Sequence, residues 1–135
     1  MNNYHSHNRH KYLLQFHLIF VVKYRKALLN IKKIDEDIKQ LLFDSCQKYN
    51  VEIKYMETDK DHCHMMISTD PTIRLSDLVR SMKSFSAFHI WKKHEGILKN
   101  FFWKERTFWT DGYFISSIGE VSEETLKQYI ENQGK

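Results

Sequence analysis

The sequence predicts an α+β fold with one antiparallel sheet, and two observations support this prediction. Short runs of aromatic and β-branched residues, typical of strands, are interspersed with longer stretches whose apolar residues recur at helical spacing. The chain has 135 residues, 41% of them hydrophobic, which suits a single domain with a core of its own. We therefore interpret residues 1–135 as one domain with the order β-α-β-β-α-β, followed by a further helix.

The first strand and the first helix are predicted before residue 50. Residues 12–24, YLLQFHLIFVVKY, contain few polar side chains, as expected of a strand buried on both faces. Residues 34–49 place apolar side chains at helical spacing with charged ones between them, which indicates an amphipathic helix. Acidic residues near its start and Lys48 near its end suit the helix dipole.

A β-hairpin is predicted next. Residues 51–58 alternate Val51, Ile53 and Tyr55 with other residues, the pattern of a half-buried strand. The tripeptide DKD then turns the chain, and the partner strand is HCHMMIS, residues 62–68.

The second half of the chain is predicted to contain a long helix over about 75–95, a strand over 108–117 and a terminal helix over 123–133. Ser122 is suited to cap the terminal helix and Gly134 to end it. Six apolar residues keep helical spacing in the long helix: Leu75, Leu78, Val79, Met82, Phe85 and Phe88. Without the terminal helix, the order of elements is that of the ferredoxin-like fold, an antiparallel sheet with two helices on one face.

His62 and His64 form the most informative motif. Residues i and i+2 of a strand project from the same face, so the two imidazoles point together. Cys63, Met65 and Ile67 are apolar and point to the other face, which is therefore predicted to be the core side. Two neutral imidazoles side by side can share one metal ion, although two ordinary surface histidines produce the same pattern.

Other residues that could bind a metal are discounted. His5 and His7 have the same spacing, but they lie in a polar segment without a strand pattern. Cys63 points away from its histidine neighbours and is predicted to be a packing residue. Cys46 and Cys63 form no ligand or disulfide framework, which suits a reducing cytoplasm.

Tyr129 and Gln133 lie four residues apart in the terminal helix, which places the phenol and the amide on one helical face. Tyr129 packing against neighbouring apolar side chains, with Gln133 in solvent, accounts for the same spacing. The alternative is that this face brings a nucleophile and an oxygen ligand to a metal ion. A nearby cation lowers the cost of forming a phenolate, whose pKa is ordinarily near 10.

Four segments together resemble the small single-tyrosine HUH transposases of the TnpA type, which move insertion sequences as single-stranded DNA. These segments are HLIFVVKYRKALL, DHCHMMIS, FWTDGYFISSIG and ETLKQYIENQ, and they extend over nearly the whole chain. The motif name stands for histidine, a hydrophobic residue and histidine, with Cys63 as an atypical middle residue.

The resemblance implies the following roles. His62, His64 and Gln133 bind one divalent metal ion, Mg²⁺ or Mn²⁺, in each active site. Tyr129 attacks the scissile phosphate and forms a 5′-phosphotyrosine link. Asp59 and Asp61 could orient a histidine or could simply form a polar turn.

The resemblance also implies partners: single-stranded DNA with hairpins at the element ends, and a second copy of the chain in a homodimer. The helix at about 122–134 could be swung or exchanged between protomers. We expect a prokaryotic cytoplasmic protein, associated with the nucleoid during action, because the sequence shows neither a signal peptide nor an apolar run long enough to span a membrane.

The net charge of +4 suits a protein that binds phosphate backbones, although solubility alone could account for it. Ten basic residues are candidates for phosphate contacts: Arg9, Lys11, Lys23, Arg25, Lys26, Arg74, Arg80, Lys83, Lys92 and Lys93. Trp91, Phe101, Phe102 and Trp103 are candidates for stacking on unpaired bases, but their exposure does not follow from the sequence.

Two other functions remain open at this point. One is a catalytically inactive relative that binds structured single-stranded nucleic acid and needs no metal. The other is a metal-dependent hydrolase that uses the same two histidines and releases free 5′-phosphate ends. A covalent protein–DNA species would distinguish the transposase from both.

Overall fold

A computed structural model describes residues 5–7, 10–12, 14–117 and 123–133, the first two segments by their backbone alone. The strands are β1 His5–His7, β2 His10–Tyr12, β3 Leu14–Val21, β4 Val51–Asp59, β5 His62–Thr69 and β6 Phe114–Ser117. The helices are α1 Lys32–Ser45, α2 Leu75–Leu98 and α3 Glu123–Asn132.

The central sheet has four antiparallel strands in the order β4-β5-β3-β6. Its two inner strands, β5 and β3, pair over their full lengths, from Leu14 opposite Thr69 to Val21 opposite His62. Helices α1 and α2 contribute to the core that covers one face of this sheet. The predicted α+β class, with two helices on an antiparallel sheet and an additional C-terminal helix, is confirmed.

The core lies between the sheet and helices α1 and α2. Alternate residues of the inner strands point into it, among them Leu18 and Phe20 of β3 and Cys63 and Met65 of β5, all of which are fully buried. Burying apolar side chains of this size stabilises the fold by roughly 1.5–3 kcal/mol each. The prediction that Cys63 faces the core is therefore confirmed, and burial raises the pKa of its thiol to about 12.

The strand predicted over residues 12–24 is shorter at both ends, since β3 covers Leu14–Val21. Tyr12 belongs to β2, which pairs with β1 in a separate two-stranded sheet, so the expectation that residues 5–7 lack strand structure is also wrong. At the other end the backbone turns at Tyr24 and Arg25, whose φ angles are 58° and 52°. A left-handed backbone cannot continue a strand, and composition alone does not reveal it.

A bulge between Ile53 and Tyr55 changes the predicted alternation of β4. The extra residue reverses which side chains face the core, so Met56 points inward and Tyr55 is exposed on the other face. The prediction that Val51, Ile53 and Tyr55 share one face is therefore wrong for Tyr55.

The remaining boundaries differ only locally. Helix α1 ends at Ser45 rather than at 49, and Lys48 lies in the turn that follows. The buried side of α2 continues through Ser86 and Ile90, so Phe88 is exposed rather than packed. Of the strand predicted over 108–117, residues 114–117 are regular, and Trp109 forms an isolated bridge with Val22.

Candidate functional site

The second face of the sheet carries the two histidines on β5. His62 and His64 are half-buried on this face, while Cys63 and Met65 between and beside them are buried on the other. The antiparallel register places Val21 opposite His62 and Ile19 opposite His64. The alternation of a single strand therefore separates the imidazoles from the core, as the sequence predicts.

Asp61 fixes the orientation of His62. Its Oδ1 lies 3.0 Å from Nδ1 of His62, and its Oδ2 accepts a hydrogen bond of 3.0 Å from Nε of Arg25. Burial by itself raises the pKa of the Asp61 carboxyl, but the hydrogen bonds from His62 and Arg25 outweigh it, and the pKa lies below its ordinary value. With Nδ1 of His62 held by a carboxylate, Nε2 is the nitrogen left for a metal ion.

Asp59 has a different environment. Its Oδ1 accepts a hydrogen bond of 2.7 Å from the backbone N–H of Lys60 in the turn before β5. Asp59 also lines the cleft at the histidines. Of the two acids that the sequence suggested, Asp61 is thus the one that contacts an imidazole.

His64 has a partner that lies outside the two-histidine motif. Nδ1 of His17, on β3, lies 2.9 Å from Nε2 of His64. Burial, and after it the neighbouring His17 imidazole, lowers the pKa of His64 and so favours the neutral form that a metal ion requires. The signal was present in the sequence, because a lone imidazole inside FHLIFV is as unusual as the pair in HCHMMIS.

A cleft of about 310 Å³ opens at the histidines, and α3 forms one of its walls. Lys127, Ile130 and Glu131 of α3 line it together with both histidines. Nη1 of Arg25 also donates to the Glu131 carbonyl at 3.3 Å, so one guanidinium contacts both Asp61 and the terminal helix.

Tyr129 lies on another side of α3, against the edge strand β6. Its ring centroid is 5.3 Å from that of Phe114. Phe114 pairs with Ile19, and Ile19 pairs with His64, so Phe114 is two strand spacings from His64, about 10 Å. The hydroxyl of Tyr129 is buried, has no hydrogen-bond partner within the described part of the chain, and has its pKa raised by burial.

Gln133 follows Tyr129 by four residues in the turn just after α3, and its backbone N–H donates to Ile130 at 3.2 Å. Within the described residues, no three His, Cys, Asp or Glu side chains converge on a point that could hold a metal ion. The donors that surround the cleft are therefore two imidazoles and the nearby carboxylates. Gln133, whose amide oxygen would suit Mg²⁺ or Mn²⁺, is not among the residues that line this cleft.

Tyr55 is another tyrosine close to the histidines. The bulge in β4 places it on the histidine face, with its ring centroid 6.0 Å from that of His64. Its hydrogen bond with Glu57 raises the pKa of the phenol, and burial does the same for Tyr129, so the pKa directions do not distinguish the two tyrosines as nucleophiles. The alternation of residues 51–58 predicts that Tyr55 shares a face with Val51 and Ile53, and the bulge reverses this.

Several of the ten basic candidates for DNA contact are already engaged. The Lys83 ammonium donates to the carbonyls of Thr110, Asp111 and Gly112, at 2.6, 3.0 and 2.9 Å, and burial lowers its pKa. Arg74 and Arg80 pair with Asp77, Lys23 pairs with Asp111, and Lys92 lies over the Phe88 ring. Lys26 lines a separate cleft, and Lys93 is exposed. Arg9 lies outside the described residues, and Lys11 is described by its backbone in β2.

Comparison with known proteins identifies the family. The sequence profile described as "Transposase IS200 like" matches residues 10–133. The chain belongs to the IS200-like transposase family. The ISDra2 transposase TnpA of Deinococcus radiodurans is 30% identical over 122 residues, which cover 90% of this chain and 85% of that protein. The transposase for insertion sequence element IS200 of Salmonella typhimurium is 28% identical over 119 residues, 88% of this chain and 76% of that protein.

Solved structures support this IS200-like transposase fold. A crystal structure of a protein from Deinococcus radiodurans R1 assigned as a transposase superposes with a TM-score of 0.85 at 26% identity, covering 96% of this chain and 97% of that one. A REP-associated tyrosine transposase solved with a REP hairpin superposes with a TM-score of 0.57 at 10% identity, over 93% of this chain and 68% of that one, and so supports the fold alone.

Membership of this family makes the protein a DNA-processing enzyme of transposition. No helix within the described ranges is both long and apolar enough to cross a membrane.

Proposed function

We propose that this transposase cleaves and rejoins single-stranded DNA at the ends of its insertion sequence through a covalent bond to Tyr129. One observation carries the proposal: both histidines of the motif open into a cleft that is walled by the helix bearing Tyr129. An ordinary pair of surface histidines would not require a terminal helix docked beside it.

The residues around the cleft fit a divalent metal ion. His62 has its Nδ1 held by Asp61, and the lowered pKa of His64 keeps that imidazole neutral. We propose that these two histidines and Gln133 would hold one Mg²⁺ or Mn²⁺ ion, with Asp61 orienting His62. When bound, such an ion would withdraw charge from a phosphate oxygen and stabilise a phenolate.

The covalent step is a transesterification. The Tyr129 oxygen forms a bond with the scissile phosphorus while the bond from phosphorus to the 3′-oxygen breaks. The phenol loses one proton and the departing 3′-oxygen takes one up, so the step consumes and releases no net proton. The product is a 5′-phosphotyrosine, which retains the phosphodiester bond energy. Rejoining reverses these bonds with a different 3′-hydroxyl and therefore needs no ATP.

Catalysis requires Tyr129 to leave its position against Phe114. In the described part of the chain the buried hydroxyl of Tyr129 has no hydrogen-bond partner, which costs roughly 1–3 kcal/mol and favours departure of the side chain. Phe114, against which Tyr129 packs, lies two strand spacings, about 10 Å, from His64. We propose that α3 swings within one protomer or exchanges with a second copy in a homodimer, which breaks the contact of Arg25 with Glu131.

The proposed substrate is single-stranded DNA with a hairpin near each element end, as suggested by the hairpin in the complex of the REP-associated transposase. We propose that Lys93, which is exposed, contacts phosphates, and that the protein acts at the nucleoid. Lys83 is an exception, since its three N–H groups are used by carbonyls.

The test is incubation of the protein with hairpin-containing single-stranded DNA and Mg²⁺ or Mn²⁺, followed by a denaturing gel. We expect a protein–DNA species that survives denaturation and disappears in Tyr129→Phe. The distance of Tyr129 from the histidines favours one alternative, a binding protein without catalysis, which would retain DNA without forming that species. A hydrolase would instead release free 5′-phosphate ends.

A further inference from the structure

A second cleft, of about 240 Å³, lies beyond the turn that follows β3, away from the histidines. We call it the Trp103 cleft. It is lined by aromatic and charged side chains that the proposed chemistry does not use: Tyr24, Lys26, Phe102, Trp103, Lys104 and Glu105. Its volume is below the roughly 300 Å³ of the smallest drug-sized pockets, so it suits one flat ring rather than a larger ligand.

Two aromatic rings of this cleft, those of Trp103 and Tyr24, are largely exposed. Trp103 is 76% exposed and Tyr24 is 56% exposed, whereas Trp91 and Trp109 are 3% and 4% exposed. The Tyr24 ring lies 6.4 Å from Phe102, which is itself buried and anchors the cleft floor. Large rings left in water around a concave site are available for stacking, and every nucleobase has a face that can stack.

The backbone is strained where it delivers Tyr24. Tyr24 and Arg25 adopt φ angles of 58° and 52°, in the left-handed region that residues other than glycine rarely adopt. Arg25 uses this turn to contact Asp61 at the histidines, and the same turn directs Tyr24 into the Trp103 cleft. The two clefts are thus lined by adjacent residues of one turn, Tyr24 at the Trp103 cleft and Arg25 at the histidines.

The charged side chains around the Trp103 cleft indicate where the phosphates of a DNA strand would lie. The Lys104 ammonium is 4.9 Å from the Trp103 ring centroid, the Lys23 ammonium is 5.7 Å from that of Tyr24, and Lys26 lines the same cleft. Glu105 accepts a hydrogen bond of 3.4 Å from the Tyr24 hydroxyl and would repel a phosphate on its side. Phosphates are therefore favoured beside the lysines, and an uncharged base is favoured between the rings.

We propose that the Trp103 cleft binds one unpaired nucleobase of the single-stranded DNA substrate, stacked on Trp103, with the adjoining phosphates on Lys26 and Lys104. The proposal rests on the proposed function for the identity of the nucleic acid. It goes beyond that function in assigning a base-binding site outside the histidine cleft.

The test measures the affinity for an oligothymidylate by fluorescence anisotropy, together with crosslinking of the same oligonucleotide carrying 5-bromodeoxyuridine. One stacked base contributes about 1–3 kcal/mol, so Trp103→Ala should bind roughly 5- to 150-fold more weakly. Trp103→Phe should recover most of the affinity because it keeps a stacking face. The crosslink in the wild-type protein should map to Trp103 by mass spectrometry.

Phe88→Ala is the matched control. Phe88 is another exposed aromatic residue with a lysine over its ring, Lys92 at 5.4 Å, but it stands on the surface of α2 and lines neither cleft. We expect its affinity to equal that of the wild type. Equal affinity in Trp103→Ala and the wild type, or an equal loss in Phe88→Ala, would overturn the proposal.

Two further outcomes keep this proposal separate from the catalytic one. If the wild-type protein forms no covalent adduct but its affinity for oligothymidylate depends on Trp103, the base site stands and the proposed catalysis fails. If the adduct forms and affinity is independent of Trp103, the reverse holds. A change from dimer to monomer in Trp103→Ala, with unchanged affinity, would identify the cleft as a protein interface and reject the base site.

Discussion

The two faces of the central sheet differ in what covers them. One face packs against α1 and α2 through fully buried side chains such as Leu18 and Met65. The other carries His17, His62 and His64, and there α3 forms one wall of a cleft of about 310 Å³ beside His62 and His64. The two environments are built from alternate residues of the same strands.

The two faces therefore have different roles: one stabilises the fold, and the other carries the groups of the proposed chemistry. The face that packs against α1 and α2 contains most of the described buried apolar side chains, so its packing determines whether the chain folds. The histidine face contains partly solvated, titratable groups and a helix that contacts them through few residues. A docked helix with few contacts opens at a lower free energy than the core, which suits a helix that has to move.

The largest expected effect is the loss of the covalent adduct in Tyr129→Phe. The substitution removes the proposed nucleophile and leaves hairpin DNA binding intact, as a denaturing gel and a native binding assay would measure. Because the buried hydroxyl has no hydrogen-bond partner among the described residues, the free energy of unfolding should fall by less than about 1 kcal/mol or rise slightly.

Tyr55→Phe is the control for that experiment, since this exposed tyrosine lies nearer to the histidines in the observed conformation. Its adduct yield should match that of the wild type. An adduct that persists in Tyr129→Phe and vanishes in Tyr55→Phe would move the nucleophile to β4.

A pair of substitutions on β5 tests whether the two faces are independent. Met65→Ala, in the core, should lower the free energy of unfolding by about 2–5 kcal/mol. His64→Ala, on the other face, should cost about 1 kcal/mol or less, because it removes one partly exposed hydrogen bond with His17. Denaturant unfolding measures both, and isothermal titration with Mn²⁺ should show metal binding lost in His64→Ala. Comparable destabilisation by the two variants would contradict the separation of roles.

A smaller effect is expected for Asp61→Asn. The amide keeps the shape of the carboxylate but holds Nδ1 of His62 less strongly, so the affinity for Mn²⁺ should fall about 10- to 100-fold. Asp59→Asn is the matched control, because that acid contacts the backbone of Lys60 rather than an imidazole. An equal loss in both variants would mean that general negative charge, rather than orientation of His62, determines metal affinity.

The smallest effect is the pH dependence of stability that Asp61 contributes. Its pKa is lower in the folded protein than in the unfolded chain, so the folded state binds fewer protons. The contribution is therefore fully present above the unfolded pKa of about 4 and decreases as the pH falls through the folded pKa. Thermal unfolding of the metal-free wild type and Asp61→Asn should differ by a constant amount above about pH 5 and converge in more acidic solution. A difference that grows on acidification would contradict the sign of this shift.

Most of the fold could be predicted from local patterns. The two-residue alternation of HCHMMIS placed Cys63 and Met65 in the core, and helical spacing located α2 and α3 to within a few residues. The bulge in β4 and the left-handed turn at Tyr24 could not be predicted, because each depends on how the chain is constrained by distant neighbours.

The candidate site was predictable in its motif residues but not in its surroundings. His62 and His64 share a strand, so their common direction follows from strand geometry. His17 contacts His64 from 47 residues away in the sequence, and Arg25 contacts Asp61 from 36 residues away. Sequence spacing carries no information about such contacts.

The sequence by itself determined the family, the sheet with its two covering helices, and which face of β5 bears the imidazoles, because these follow from residue order and short-range periodicity. Only the tertiary structure decided that Arg25 links Asp61 to α3, that Lys83 is saturated by carbonyls, and that Tyr129 rests against Phe114. Those positions depend on where the terminal helix docks and on which side chains are then removed from water. Such long-range packing is the sum of many weak contacts, which no local sequence pattern encodes.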